Sequence, residues 1–128
     1  MNKYEAAILE VVAWQDRHYR MPKKDAHDLM LITANYLDLG NQERLWNEFG
    51  AWTEEEGFDA GRAGARMLGV DIAGLLDDSG HRRIAGIIAG QADTETPGLL
   101  PQEMCAWDVD RARVLLDGML EGLFENRR

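Results

Sequence analysis

Apolar side chains recur at helical spacing, every three or four residues, in each long segment of this chain. This spacing predicts helices over residues 3–18, 24–37, 42–52, 60–76, 81–92, 99–105 and 109–124. No segment alternates apolar and polar residues next to a hairpin turn signal. We therefore expect an all-α fold, a compact bundle of six or seven helices, that forms a single domain over residues 1–128.

Short polar residues and glycines mark where these helices begin and end. Asn41, Asp59 and Asp108 each precede a periodic segment, where a side-chain oxygen can accept a hydrogen bond from an unpaired N–H of the first turn. Gly40 is expected to end the second helix in the left-handed conformation. These signals fix the helix order before any packing is considered.

Several residues carry expectations about packing. Glycine inside a helix costs about 1 kcal/mol relative to alanine, so we expect a neighbouring helix to approach closely at Gly61, Gly64 and Gly69. Arg66 is expected to pair with Asp71, and His81, beside two arginines, is expected to face solvent. The apolar cluster of the third helix is expected in the core; it comprises Leu45, Trp46, Phe49 and Trp52.

Charge and composition limit the partners of the chain. The formal net charge is −9, whereas nucleic-acid backbones are bound by clustered Lys and Arg, so a nucleic-acid partner is not expected. The apolar run from Ala6 to Trp14 is shorter than a membrane span and the start does not read as a secretory signal, so we expect a cytoplasmic protein with no membrane contact. The single cysteine, Cys105, has no disulfide partner and is expected in the core.

Two acids three residues apart, Asp25 and Asp28, lie on or beside the apolar face of the second predicted helix. A carboxylate on such a face needs a partner, and basic residues lie nearby along the chain. The pair is either a structural ion pair at a helix N-terminus or part of a chemical site. Glu10 rises from a small apolar patch of the first helix, where it either faces water or pairs with a cation of the next helix. No pattern of His and Cys residues indicates a metal site.

Two stretches resemble a known family. They are Trp14-Gln15-Asp16-Arg17 followed by Lys24-Asp25-Ala26-His27-Asp28-Leu29, and the later run Ala63-Gly64-Ala65-Arg66-Met67-Leu68-Gly69-Val70-Asp71-Ile72. Together they resemble the C-terminal helical half of the AbiEii/AbiGii-type nucleotidyltransferases of toxin–antitoxin systems, over about residues 9–123.

The resemblance implies transfer of a nucleotide to an acceptor with Mg²⁺ and a nucleoside triphosphate. Asp28 matches the aspartate of the family motif and Asp25 is its neighbour, so these two are the candidate catalytic residues. Lys24 and Arg17 are the candidate contacts to the cofactor. No residue is assigned as a metal ligand.

The chain also departs from the family pattern. It has no Gly-Gly/Ser loop followed by Asp-x-Asp, the segment with which the family binds metal and triphosphate, and Glu10 stands where the family has a lysine. We therefore expect a domain that is inactive alone and binds no cofactor by itself, with Mg²⁺ and triphosphate entering only if a separate catalytic chain completes the site. The alternative is an acidic interaction module, antitoxin-like or regulatory, that binds a basic protein.

Overall fold

In the part of the chain that the structure describes, seven α-helices form from the segments whose apolar residues recur at helical spacing. A computed structural model describes residues 2–20, 23–93, 95 and 98–125. Its helices are α1 (Lys3–Arg17), α2 (Lys24–Asn35), α3 (Gln42–Glu48), α4 (Ala60–Leu75), α5 (Asp78–Gln91), α6 (Leu99–Met104) and α7 (Val109–Phe124), with a 3₁₀ helix at Gly50–Glu54. These ranges contain no β-strand, which confirms the all-α bundle. None of their helices is both long and apolar enough to cross a membrane.

The predicted helix caps are confirmed at two of three positions. Asp59 and Asp108 each accept a hydrogen bond from the backbone N–H three residues later. Asn41 precedes α3 but does not cap it, because its side-chain oxygen accepts instead from Nη1 of Arg44 at 2.8 Å, while its amide nitrogen donates to the carbonyl oxygen of Tyr36. Gly40 has a φ of +90°, the left-handed conformation expected after α2.

Three helix boundaries differ from the prediction by two or more residues. Helix α2 ends at Asn35, and α3 ends at Glu48, after which the chain tightens into the 3₁₀ helix. Helix α5 begins at Asp78, earlier than predicted, because the side chain of Asp77 accepts a hydrogen bond from the N–H of Gly80 at 2.7 Å and so nucleates the first turn there.

Glycines allow α4 and α7 to pack backbone to backbone. A Cβ atom at Gly69 would collide with a carbonyl oxygen of α7, and one at Gly122 would collide with the carbonyl oxygen of Arg66. Gly118 lies against Arg62, so the contacts advance in the same direction along both helices, and α4 and α7 run parallel. The close approach expected at Gly69 is confirmed.

Helices α1 and α2 form an antiparallel hairpin beside this pair. Arg17 at the end of α1 contacts Asp25 at the start of α2, while Tyr4 and Tyr36 line one cavity at the other end. Trp14 fixes the hairpin to α6, because its buried ring donates a hydrogen bond from Nε1 to Glu103 at 2.7 Å. The hairpin thus positions every side chain of the predicted site.

The aromatic cluster of the third predicted helix is only partly in the core. Leu45 and Trp52 are buried, and Phe49 stacks on Trp52 with the ring centroids 4.3 Å apart. The prediction is wrong for Trp46, which is 65% exposed. Because α3 is short and lies at the edge of the bundle, it buries one side only.

His81 is buried, so its predicted exposure to solvent is wrong. Its Nε2 lies 2.6 Å from the carbonyl oxygen of Leu123, which can only accept, so this nitrogen carries a proton. The first turn of α5 packs over the last turn of α7, whose carbonyls need donors from outside the helix. Cys105 is buried in the core, as predicted.

Candidate functional site

Asp25 lies in the first turn of α2, where Arg17 holds its carboxylate. The Nε and Nη2 atoms of Arg17 donate to the two carboxylate oxygens, each at 3.0 Å. The side chain of Asp25 is 2% exposed and that of Arg17 is 46% exposed, so the guanidinium covers the carboxylate from the solvent side. The hydrogen bonds from Arg17 lower the pKa of Asp25, against the opposing effect of burial. This ion pair accounts for a carboxylate on an apolar helix face.

Glu10 faces the same carboxylate from α1. A hydrogen bond between the carboxyl groups of Glu10 and Asp25 contributes to the pKa shifts of both groups. Burial, followed by this hydrogen bond and by the negative charges of Asp28 and Asp25, raises the pKa of Glu10 to about 7, while Lys24 lowers it. Two facing carboxyl groups resist double ionisation, so below about pH 7 Glu10 keeps a proton that it shares with Asp25 through the hydrogen bond. Of the predicted partners of Glu10, a cation of the next helix, Lys24, acts on it through its charge, whereas the hydrogen-bond partner of Glu10 is another acid, Asp25.

Asp28 and Lys24 form the outer part of the site. The Nζ atom of Lys24 lies 3.3 Å from Oδ2 of Asp28, one helical turn away, and both side chains are exposed. An exposed ion pair of this kind contributes only about 0.3–0.5 kcal/mol to the stability of the fold. Both groups can therefore exchange this contact for one with a partner at little energetic cost.

The four predicted site residues come together on one face of the α1–α2 hairpin, with Glu10 between them. We call Glu10, Arg17, Lys24, Asp25 and Asp28 the carboxyl cluster. Mg²⁺ prefers an octahedral shell of oxygens that are free to bind it, whereas both oxygens of Asp25 already accept from Arg17. In the described ranges, no group of three or more His, Cys, Asp and Glu side chains could hold a metal ion. The residues described here therefore do not by themselves fit a magnesium–triphosphate complex.

A second polar network lies at the other end of the hairpin and was not predicted. Asp71 of α4 accepts two hydrogen bonds from Arg44, at 2.8 and 2.9 Å, and one from the hydroxyl of Tyr36. Burial, then the hydrogen bond and charge of Asp71, raises the pKa of Tyr36, and the hydrogen bonds to Asp71 raise the pKa of Arg44. The predicted pairing of Asp71 with Arg66 is wrong. The one indication of this network in the sequence was the position of Asp71 beside the apolar residues of α4.

Arg66 binds a different set of acids. Its guanidinium lies 4.0 Å from the centroid of the Trp52 ring and donates to Glu125 and Glu55. Arg66 and Asp71 lie five positions apart, which turns them toward different neighbours on α4. Arg66 thus joins α4 to the 3₁₀ helix and to the end of α7.

Comparison with known proteins finds no relative in which this geometry can be examined. The resemblance in the α1–α2 and α4 motifs therefore rests on the residues quoted for it, and the carboxyl cluster is defined by the contacts of this chain alone. No protein-family model, no curated protein and no solved structure matches the chain.

Proposed function

We propose that this chain is the helical part of a nucleotidyltransferase-like protein, inactive alone, and that a separate chain supplies the metal-binding catalytic half. The observation that carries the proposal is the convergence of the motif residues: Arg17, Asp25 and Asp28 meet at one place, although they belong to two helices. In the resembling family, the corresponding residues complete a site whose other half lies elsewhere. The exposed face of the α1–α2 hairpin is the surface on which that half docks.

The contacts of Asp25 support an inactive isolated chain. Metal-assisted phosphoryl transfer depends on carboxylates that hold metal ions and on cations that neutralise the phosphates. Here Arg17 neutralises Asp25, and Glu10 adds a second carboxyl group where the family has a lysine. A triphosphate would meet the negative charge of Asp28, and also that of Glu10 as the pH rises through about 7, so binding requires cations and metal ligands from another chain.

The exposed pair of Asp28 and Lys24 supports docking at this surface. Both side chains are held by one weak contact, so a partner can replace it without leaving a buried charge unpaired. The neighbouring outer surface of the hairpin also carries Leu9 and Leu31, which are exposed. A mixed polar and apolar surface of this kind is typical of interfaces between separately folded chains.

The first test is calorimetric titration of the purified chain with ATP in the presence and absence of Mg²⁺. We expect no metal-dependent binding. Tight binding of ATP that requires Mg²⁺ would contradict the proposal, because the chain would then hold the metal without a second half.

The second test measures binding to a protein that carries a Gly-Gly/Ser and Asp-x-Asp half and is encoded beside this chain. We expect the Asp28→Lys variant to weaken this binding, because it reverses the charge at the proposed contact. The matched control is Glu43→Lys, which makes the same change of net charge on the exposed side of α3. Equal binding by the two variants would rule out the carboxyl cluster as the contact.

The second candidate function is an acidic interaction module that binds a basic protein. Glu54 and Glu56, at the end of the 3₁₀ helix, favour it, because both are exposed and neither forms an ion pair within the described part of the chain. A basic partner that is lost from the double variant Glu54→Lys/Glu56→Lys, but retained by Asp28→Lys, would favour this function over the first.

A further inference from the structure

An open cavity lies at the opposite end of the α1–α2 hairpin from the carboxyl cluster. Its volume is about 730 Å³, and it is bounded by the first turn of α1, residues 36–44 and the last turns of α4. Cavities of 300–1,000 Å³ that combine an apolar wall with a few polar groups are typical of small-molecule sites. The proposed function does not use this cavity.

The floor of the cavity is polar and already ordered. Asp71 is bound by Arg44 and Tyr36, and Asn41 accepts a hydrogen bond from Arg44 at 2.8 Å while donating to the backbone of Tyr36. The five N–H bonds of Arg44 serve Asp71 twice and Asn41 and Glu48 once each, so one of them has no acceptor in the described structure. A ligand oxygen can accept from this N–H without disturbing the network.

The wall of the cavity is apolar and open to solvent. Leu39 and Leu75 line it and are 44% and 52% exposed, and the side chain of Tyr4 and Val70 continue the same surface. Apolar surface that a ligand removes from water contributes about 25 cal/mol per Å² to the free energy of binding. The wall therefore favours a ligand with an aromatic or branched aliphatic body.

The charges around the cavity favour an anion. Among the lining residues, the carboxylate of Asp71 is paired with Arg44, which also contacts Glu48 outside the lining, and Lys3 at the rim forms no ion pair with any described residue. The unpaired Lys3 and the free N–H of Arg44 line the same cavity, so the lining offers two donors to an anionic oxygen on a chain whose net charge is −9. Among the lining residues, a cationic ligand would meet Lys3 and find no carboxylate without a partner.

We propose that this cavity binds a small organic carboxylate with an apolar body. The carboxylate contacts Lys3 and the free N–H of Arg44, and the body lies against Tyr4, Leu39 and Leu75. The size of the cavity limits the ligand to a small molecule. The site is independent of the carboxyl cluster, and so of the proposed function.

The test is a titration of the ¹⁵N-labelled protein with 3-phenylpropionate, followed by its backbone amide resonances. We expect saturable shifts at the cavity-lining positions, which include Tyr4, Leu39 and Gly74. The same titration with 3-phenylpropylamine, which has a similar body and the opposite charge, should give no saturable shift at these positions. Equal binding of the two probes, or no binding of the carboxylate, would overturn the proposal.

Two variants test the location. Gly74 lines the cavity, and a Cβ atom there meets no atom within 4 Å, so Gly74→Leu fills the cavity without a clash. We expect it to weaken binding of 3-phenylpropionate by at least about tenfold. The matched control is Gly86→Leu, at an equally open glycine of α5 outside the cavity, which should bind like the parent protein. Unchanged binding by Gly74→Leu would place the probe elsewhere and refute the site.

The variant Lys3→Glu tests the charge. An acid in the first turn of a helix suits the helix dipole, so this variant folds. Because an exposed ion pair contributes at most about 1 kcal/mol, we expect binding of 3-phenylpropionate to fall about fivefold. Equal affinity of the parent and Lys3→Glu proteins would exclude Lys3 as the carboxylate contact and contradict the proposed chemistry.

Discussion

Replacing Glu10 with glutamine tests the hydrogen bond between the two carboxyl groups on α1 and α2. In the parent protein Glu10 must be protonated to donate to Asp25, whereas the glutamine amide donates at every pH. The substitution also removes the negative charge that Glu10 acquires near Asp28 as the pH rises. It is nearly isosteric, so the packing of α1 is retained.

The magnitude follows from the raised pKa. Folding moves the pKa of Glu10 from 4.5 to about 7, so the folded protein holds this proton more tightly than the unfolded chain does. The stability linked to Glu10 is fully present below pH 4.5 and is lost as the pH rises to about 7. The whole shift in pKa corresponds to about 3 kcal/mol of folding free energy. Because Glu10 is only partly buried and solvent screens its neighbours, we expect about 1 kcal/mol.

The assay is urea denaturation of the parent and the Glu10→Gln protein at pH 5 and pH 8. We expect similar free energies of unfolding at pH 5, and a variant more stable than the parent by about 1 kcal/mol at pH 8. All other groups are common to both proteins and cancel in the difference. Glu43→Gln, at an exposed position of α3, is the control and should show no pH-dependent difference from the parent. A constant difference between Glu10→Gln and the parent at all pH values would refute the shared proton.

Three further predictions concern stability, measured by urea denaturation at neutral pH. Gly122→Ala should lower the free energy of unfolding by about 2–3 kcal/mol, because its methyl group meets a backbone carbonyl of α4. The control Gly86→Ala, at an open helical position, should raise it by up to about 1 kcal/mol, and equal effects of the two variants would disprove the close packing of α4 and α7. Asp71→Ala should cost about 2–3 kcal/mol, because it leaves a partly buried arginine and tyrosine without their acceptor, and a neutral outcome would argue against the network. Trp14→Phe should lower the free energy of unfolding by about 1 kcal/mol, because its indole hydrogen bond is lost. The control Trp107→Phe, at an exposed position, should stay within about 0.5 kcal/mol of the parent protein, and a comparable loss of stability in both variants would contradict the burial of Trp14.

Features encoded by neighbouring residues could be predicted from the sequence. The caps at Asp59 and Asp108 depend on a side chain and an N–H three residues apart, so the sequence contains both partners. The convergence of Arg17 and Asp25 was also within reach, because a short turn joins their helices and restricts where they meet. Such local constraints explain why the helix order and the all-α fold followed from spacing alone.

Features that depend on distant segments could not be predicted. His81 looked exposed beside two arginines, and only the position of α7 over the start of α5 buries it. Asp71 had a basic residue nearby on its own helix, yet its partner Arg44 comes from another helix. The shared proton of Glu10 likewise required knowing that two acids face each other across the hairpin. Pairings across the bundle depend on rotations of whole helices, which spacing within one helix does not specify.

The parallel contact of α4 and α7 affects how this protein is made. Ribosomal synthesis releases α4 well before α7, so the glycine-lined side of α4 stays uncovered while α5 and α6 are translated. A nascent chain that stops short of α7 exposes the apolar residues around Gly69, which favours aggregation or capture by a chaperone. Folding of this bundle is therefore completed only after translation of its last described helix.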